Sequence, residues 1–399
     1  MGTRTVQLDI FRTAIPMRNF EHAAATRKLA EAVVVRVELS DGREGWGETL
    51  PRSYVTGETM ETVVADLQGR IWEMVRGLEF AGDGAQQDSR GTKDEAMAAI
   101  RRIPRRAPDG RCMHAAACAV ELALIDALSR PGGPGGVARL LGLPRRQRID
   151  ARASGVLGSR QPRRTARRLR LMRLFGLRDF KLKLGLGDEA DEANLRVVQR
   201  RIGRAVAAGR CSLRVDVNGG WDADSTPARV AALKARGVCA VEQPVFCAAA
   251  ELADLAGRCE LPLLADESLV TRADAEALLA GRANVWWNIR ISKNGGLLAA
   301  LELADLAAAR DVPFTVGCMV GESGILSAAQ RRLLEVCPPP RFVEGNYGRL
   351  LLAADLTRRS PRMGWGGRLG CLVGGGLGVA VDRRKLAAFG RCVASHRAG

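Results

Sequence analysis

Five short apolar runs, each carrying an ionisable side chain at or near its end, recur at near-even intervals through the middle of this chain. Residues 180–184, 213–218, 238–242, 261–266 and 287–293 read as strands bounded by turn signals. They deliver Lys183, Asp216, Glu242, Asp266 and Lys293, separated by 33, 26, 24 and 27 residues. Ala-, Leu- and Arg-rich stretches of helical character fill the gaps, at 193–208, 227–236 and 273–279. Such a rhythm of strand, helix and strand predicts βαβ units and a parallel sheet. In a sheet closed into a barrel, polar residues at the C-terminal ends of the strands face one shared mouth, where that architecture places its chemistry. All five residues hold that position. Taken singly each has a bland reading: a strand-end lysine is commonly a solvated rim residue, Asp216 suits a helix cap, and Glu242 or Asp266 suits an arginine partner. Five coincidences at one mouth are not expected.

Length and composition admit this reading. With 399 residues, 47% hydrophobic and 26% charged, the chain can bury a large core and exceeds one barrel by enough for a second domain. A net charge of +17 raises nucleic acid as a partner, and the basic runs 101–106, 145–148 and 163–170 would serve. Aromatic residues are only 4%, however, the basic residues are spread along the whole chain, and there is no zinc-finger or RNA-binding signature. Solvated helix faces account for the arginines, and no specific nucleic-acid partner is expected. None of the ten cysteines forms a CxxC pair, and the N-terminus has no apolar signal segment, so a reduced, cytoplasmic setting is expected. No apolar stretch approaches a membrane span, and no membrane partner is expected.

Ahead of the repeating units the pattern changes. Residues 5–12 and 32–39 read as strands, with Asp41-Gly42 as a turn towards Gly45-Trp46-Gly47-Glu48. Residues 60–77 and 115–129 carry helical periodicity, which makes an α+β segment. Residues 82–110, polar and rich in Gly and Arg, read as a surface excursion. The Pro-Gly run 131–136 resembles an interdomain hinge, although 137–143 can resume a helix and the first barrel strand is expected only near residue 151.

Three carboxylates on neighbouring strand ends offer an oxygen-only site that suits a hard divalent cation, with Mg²⁺ the natural candidate. No histidine lies near them, which argues against zinc. Lys181 and Lys183 are two apart on a strand and share a face, so like charge should favour a neutral amine on one of them, and a neutral lysine is a general base. Lys293 arrives from several strands further round. The set fits removal of a proton α to a carboxylate, with the metal holding the enediolate.

The motifs Lys181-Leu182-Lys183, Asp216-Val217-Asn218, Glu242-Gln243-Pro244, Asp266-Glu267-Ser268 and Lys293-Asn294-Gly295-Gly296 resemble the muconate-lactonizing subgroup of the enolase superfamily. Gly45-Trp46-Gly47-Glu48, Gly317-Cys318-Met319 with Ser323-Gly324-Ile325-Leu326-Ser327, and Gly376-Leu377-Gly378-Val379 are similar to that subgroup too, in its order and over nearly the whole chain. The resemblance implies an α/β fold: a modified TIM barrel, (β/α)₇β, at 133–345, under an α+β capping domain at 1–132 completed by a tail at 346–399. It implies Asp216, Glu242 and Asp266 as ligands of Mg²⁺, or of Mn²⁺ in its place. Lys183 and Lys293 become the acid/base pair, Lys181 tunes Lys183, and Asn218 and Glu267 support the metal site. Cap loops would select a small carboxylate substrate, which points to Arg18 and His22 within 16–27 and to Tyr54 within 51–59. Glu322 is a further substrate contact, and a homo-oligomer is expected by the same resemblance.

Departures leave the substrate open. Dipeptide epimerases of the subgroup carry Asp-x-Asp after the eighth strand, where this chain reads Glu344-Gly345-Asn346; muconate cycloisomerases place an acid directly after Met-Leu, where Met319-Val320-Gly321-Glu322 puts it one residue later. Cycloisomerase or racemase/epimerase action through an enediolate is expected. A dipeptide epimerase of the L-Ala-D/L-Glu kind or a dehydratase such as o-succinylbenzoate synthase stands as the alternative, and a basic scaffold or nucleic-acid-binding protein as the non-enzymatic one.

Overall fold

The computed structural model describes residues 2–22, 25–80, 91–281, 283–345 and 347–398, with the backbone alone at 19–22, 25–27 and 91–94. Strands β1 (Thr3–His22) and β2 (Ala25–Leu39) form a long antiparallel hairpin, and β3 (Glu44–Thr49) pairs with β2. A short β4 (Glu79–Phe80) joins the free end of β1. The sequence indicates only 5–12 and 32–39 as strand and leaves 16–27 as a loop. The structure corrects this, since pairing continues to His22↔Ala25 after a register shift between Pro16 and Phe20. Proline cannot donate to a ladder, so the strand accommodates Pro16 beside an irregularity, and cross-strand pairing carries a segment whose own alternation has faded.

Helix His114–Ser129 lies across this sheet, buried along nearly all its length by small alanines. Glycines in β3 permit the approach: a Cβ on Gly47 would stand 1.9 Å from the carbonyl oxygen of Ala119. That explains the Gly-Trp-Gly pattern as packing. Helix Gly91–Arg101 then revises the expected surface excursion, because Ile100 and Ile103 are buried and so anchor that segment; residues 81–90 lie outside the described residues. The hinge-like run is a 3₁₀ turn, Arg130–Gly135, leading straight into helix Gly136–Leu140.

Eight parallel strands follow: β5 (Gly155–Leu157), β6 (Asp179–Lys183), β7 (Ser212–Asp216), β8 (Ala240–Glu242), β9 (Leu263–Ala265), β10 (Val285–Ile289), β11 (Phe314–Val316) and β12 (Phe342–Val343). They neighbour one another in sequence order, and a parallel bridge between Ala153 and Val343, with Ser154 N–H donating to Val343 O at 2.8 Å, brings the last strand back to the first. Seven helices alternate with them, from Pro162–Leu174 to Gly324–Val336, which makes a modified (β/α)₇β barrel. The chain returns to the cap with β13 (Gly390–Arg397), antiparallel to β1 from Gln7↔Arg397 to Thr13↔Gly390.

β10 stops at Ile289, so Lys293 sits in a turn and not on the strand end that the sequence indicates. Two features end the strand. Gly295 and Gly296 take positive φ of 89° and 125°, and the Asn294 amide folds the segment back, accepting from Arg290 N–H at 2.8 Å and donating to Leu269 O at 3.0 Å. Among the described residues no helix is long and apolar enough to cross a membrane, and all ten cysteines are unbridged.

Candidate active site

Parallel register assembles the site. Lys183 pairs with Asp216 and Asp216 with Glu242, so three of the indicated residues form one row across β6, β7 and β8; Asp266 follows the end of β9. Each carboxylate is held by a cation. Lys183 Nζ donates to Asp216 Oδ2 at 2.6 Å and to Asn218 Oδ1 at 2.7 Å. Lys181 Nζ sits 3.1 Å from Asp216, 3.1 Å from Glu242 and 2.5 Å from Glu344. Arg290 hydrogen-bonds Asp266 and stands 3.6 Å from Glu242. Lys293 Nζ donates to the carbonyls of Asp266 and Asn288, both at 2.7 Å, and lies 3.1 Å from Asp266 Oδ1.

Gln243 and Asn218, both left-handed at φ 36° and 49°, sit immediately beyond the ladder. Such conformations cost about 1 kcal/mol or more and persist where surrounding contacts fix them. Gln243 shows the fixing: its side-chain oxygen accepts from the backbone N–H of Asp266 and Ser268, and its amide donates to Ser268 Oγ at 2.7 Å. The Glu-Gln-Pro motif thereby ties the end of β8 to the end of β9 and sets Asp266.

Electrostatics divides these groups. Burial pushes the Glu242 carboxyl up to about 8, and its neighbour Asp216 pushes the same way, against Lys181. Burial also drives Glu267 to about 7, with Asp266 adding to it. Asp216 goes down despite burial, because Lys183 and Lys181 outweigh it, and Asp266 goes down through Arg290 and Lys293. Three adjoining carboxylates cannot all keep their charge cheaply, and the middle one carries the cost. Lys181 is held firmly as an ammonium, since Glu242, Glu344 and Asp216 overcome its burial. The amine that burial lowers is Lys293.

A cavity of about 60 Å³ opens onto this row, lined by Lys181, Lys183, Asn218, Glu267 and Arg290 on the barrel side and by Tyr54, Glu322 and Tyr347 at its rim. Asp216, Glu242, Asp266 and Lys293 are fully buried behind it. Of the residues indicated as substrate contacts, Asn218, Glu322 and Tyr54 meet here; Arg18 is exposed on β1 and does not line the cavity, and the side chain of His22 lies outside the described residues. Glu322 accepts from Met319 N–H and Ser327 Oγ. The cap contributes a second tie, as Glu48 accepts from Ser323 N–H, Ser323 Oγ and Leu326 N–H at the start of helix Gly324–Val336. Burial nonetheless pushes its carboxyl up to about 7.

Sequence reasoning missed Arg290, Asn288, Arg214 and Tyr347. Arg214 is fully buried, stacks 4.0 Å above the Phe342 ring and lies 3.2 Å from Glu344. A signal existed for Arg290: Trp286 and Asn288 alternate along β10 and Arg290, just past its end, keeps the same spacing, while Trp286 packs inside the barrel against Leu264 and Phe342, so the two polar residues follow it inward.

Residues 163–385 match the family described as Enolase C-terminal domain-like. This chain belongs to the enolase superfamily. It is 27% identical to the L-Ala-D/L-Glu epimerase of Bacillus subtilis over 343 residues, 82% of this chain and 84% of that protein. It is 28% identical to muconate cycloisomerase 1 of Pseudomonas putida over 375 residues, 92% of this chain and 93% of the other. The solved muconate lactonizing enzyme from Pseudomonas fluorescens, complexed with muconolactone, superposes with a TM-score of 0.83 at 25% identity, covering 98% of this chain and 100% of that one. The chain is therefore an isomerase of the muconate-lactonizing subgroup, and membership of the superfamily implies a divalent metal.

The donor set fits such an ion: three buried carboxylates, oxygen ligands only, with Glu267 Oε2 buried beside them without a hydrogen-bond partner. Lys183, Lys181 and Arg290 lie among these carboxylates, and among the described residues no three His, Cys, Asp or Glu side chains are gathered closely enough to hold a metal as they stand.

Proposed function

We propose that this chain is a Mg²⁺-dependent isomerase that removes the proton α to the carboxylate of a small molecule. The observation that carries the reading is the placement of two lysines at opposite ends of one carboxylate row: Lys183 on Asp216 from β6, and Lys293 on Asp266 from the turn after β10. Asp216, Glu242 and Asp266 would hold the metal in exchange for their present ion pairs, and when bound it supplies charge to stabilise an enediolate. Lys183 and Lys293 flank the substrate from opposite sides: in an epimerase each takes or returns the proton on its own side, in a cycloisomerase one is the base and the other a cation beside the enediolate, while Lys181 keeps its charge beneath them. Asn218 holds Lys183 in place, and Tyr54, Glu322 and Tyr347 bound the substrate.

Between substrate classes, Glu344 favours a cycloisomerase acting on a dicarboxylate of the muconate kind. The acid that follows β12 is occupied by Lys181 at 2.5 Å and Arg214 at 3.2 Å, which leaves it poorly suited to a dipeptide ammonium. Dipeptide epimerisation is the second reading, favoured by the paired lysines themselves.

The experiment is ¹H NMR exchange in D₂O, run on muconolactone and on both epimers of an Ala-Glu dipeptide. Two-base epimerisation predicts that Lys293→Ala abolishes exchange from one stereoisomer and spares the other in part. Cycloisomerisation predicts lower turnover on the lactone with no stereochemical split. Unchanged exchange in both Lys183→Ala and Lys293→Ala would reject the two-lysine mechanism.

A further inference from the structure

The arginines of this chain are not evenly neutralised. On helix Asp188–Ala207 and its neighbours they pair with acids, as in Arg229 with Asp188 at 2.8 Å and Arg236 with Glu192 at 2.6 Å. Helix Pro162–Leu174 is different. Residues 151–178 hold nine arginines and no aspartate or glutamate, and residues 356–381 hold four arginines and again no acid. Among the described residues no carboxylate pairs with Arg163, Arg167, Arg170 or Arg178, and all four are exposed.

The two acid-free segments meet. Ala153 N–H donates to Gly367 O and Gly366 N–H to Phe175 O, both at 2.8 Å, and the Phe175 and Trp365 rings lie 5.6 Å apart. Large apolar side chains crowd the same place. Leu171 is 57% exposed, Leu174 62% and Trp365 64%, with Phe175 beside them. Arg163, Arg167, Leu171 and Leu174 recur at helical spacing on one face, opposite the buried Thr165 and Leu169. An apolar cluster rimmed by unpaired arginines therefore looks outward from the barrel wall, on a helix that supplies nothing to the cavity.

We propose that this face rests on an anionic lipid surface. Charge complementarity requires an acidic partner and disfavours a second copy of the same face, which would bring arginine onto arginine. A phosphate backbone would satisfy the arginines but offers nothing to Leu171 and Leu174. The headgroup layer of an anionic bilayer meets both needs, since phosphates engage the guanidinium groups while leucine and tryptophan side chains enter the acyl boundary. The protein lies on such a surface without spanning it.

The test is co-sedimentation of the full chain, at physiological salt, with vesicles of phosphatidylcholine alone and of phosphatidylcholine and phosphatidylglycerol in equal parts, with double-stranded DNA as competitor. The expected result is sedimentation with the anionic vesicles only, weakened about fivefold by each of Arg163→Gln and Arg167→Gln. Leu171→Gln with Leu174→Gln should abolish it while isomerase turnover stays unchanged. If that double variant fails to fold by circular dichroism, the arginine variants decide. The proposal is overturned if the chain ignores anionic vesicles, if the folded leucine variant sediments as the parent does, if the arginine variants bind undiminished, or if DNA strips the parent from the vesicles and the leucine variant keeps its DNA binding. That last outcome would reassign the face to nucleic acid.

Discussion

The hydroxyl of Thr49, at the end of β3, lies 2.8 Å from that of Ser292, the residue before Lys293. Leu50 N–H donates to the same Ser292 oxygen at 3.2 Å. The cap therefore grips the turn that carries one proposed base, whereas Lys183, the other, belongs to a barrel strand. Ser292→Ala leaves a buried N–H and a buried hydroxyl without this partner, and should destabilise the chain by about 2 kcal/mol. Urea unfolding reads this directly, and an unchanged midpoint would mean that the tie carries no stability.

Glu344 neutralises two buried cations, Lys181 and Arg214, and these hold its own carboxyl low against burial. Glu344→Gln should therefore cost about 3 kcal/mol, the usual penalty for removing one member of a buried ion pair. The same denaturant experiment decides it, and a loss below about 1 kcal/mol would show that Asp216 and Glu242 neutralise Lys181 unaided.

His114 supplies a pH dependence. Burial lowers it to about 4, against its hydrogen bond to the backbone of Lys293, so the folded chain holds it neutral while the unfolded chain takes a proton near the ordinary value of 6.5. The contribution is intact above that value and is lost as pH falls through the window from about 6.5 to 4. At about pH 5 the loss is about 2 kcal/mol. His114→Gln lacks the titration. The stability gap between parent and variant should therefore shrink by that amount between neutral pH and about pH 5, as measured by urea unfolding; a constant gap would show that His114 is protonated in the fold.

Asp266→Asn removes one charge from the proposed metal ligands and loosens the grip on Arg290 and Lys293. Mg²⁺ affinity by calorimetry should fall several-fold or more with circular dichroism unchanged. An unaltered titration would place the ion elsewhere.

What the sequence made legible follows the strength of local signals. The barrel units were readable because apolar runs, helical spacing and turn residues agree with one another. The row of Lys183, Asp216 and Glu242 was readable because parallel register is implicit in equal strand placement. Three things were not. The pairing of 16–22 with 25–29 joins segments whose own alternation is weak. The position of Lys293 depends on Asn294 and two glycines turning a run that reads as continuous strand. Arg214 reaches inward from β7 and Arg290 from just past β10, and their contacts with Glu344 and Asp266 join residues far apart in the chain, which no local pattern records.

The pairing of β13 with β1 joins Gln7 to Arg397. A ribosome makes Gln7 before the barrel and Arg397 after it, so the cap sheet stays one strand short until the whole barrel has emerged. The eight barrel strands, each beside its successor in sequence, can assemble progressively before then. The lid over the barrel mouth is thus completed by a strand made after the barrel that it covers.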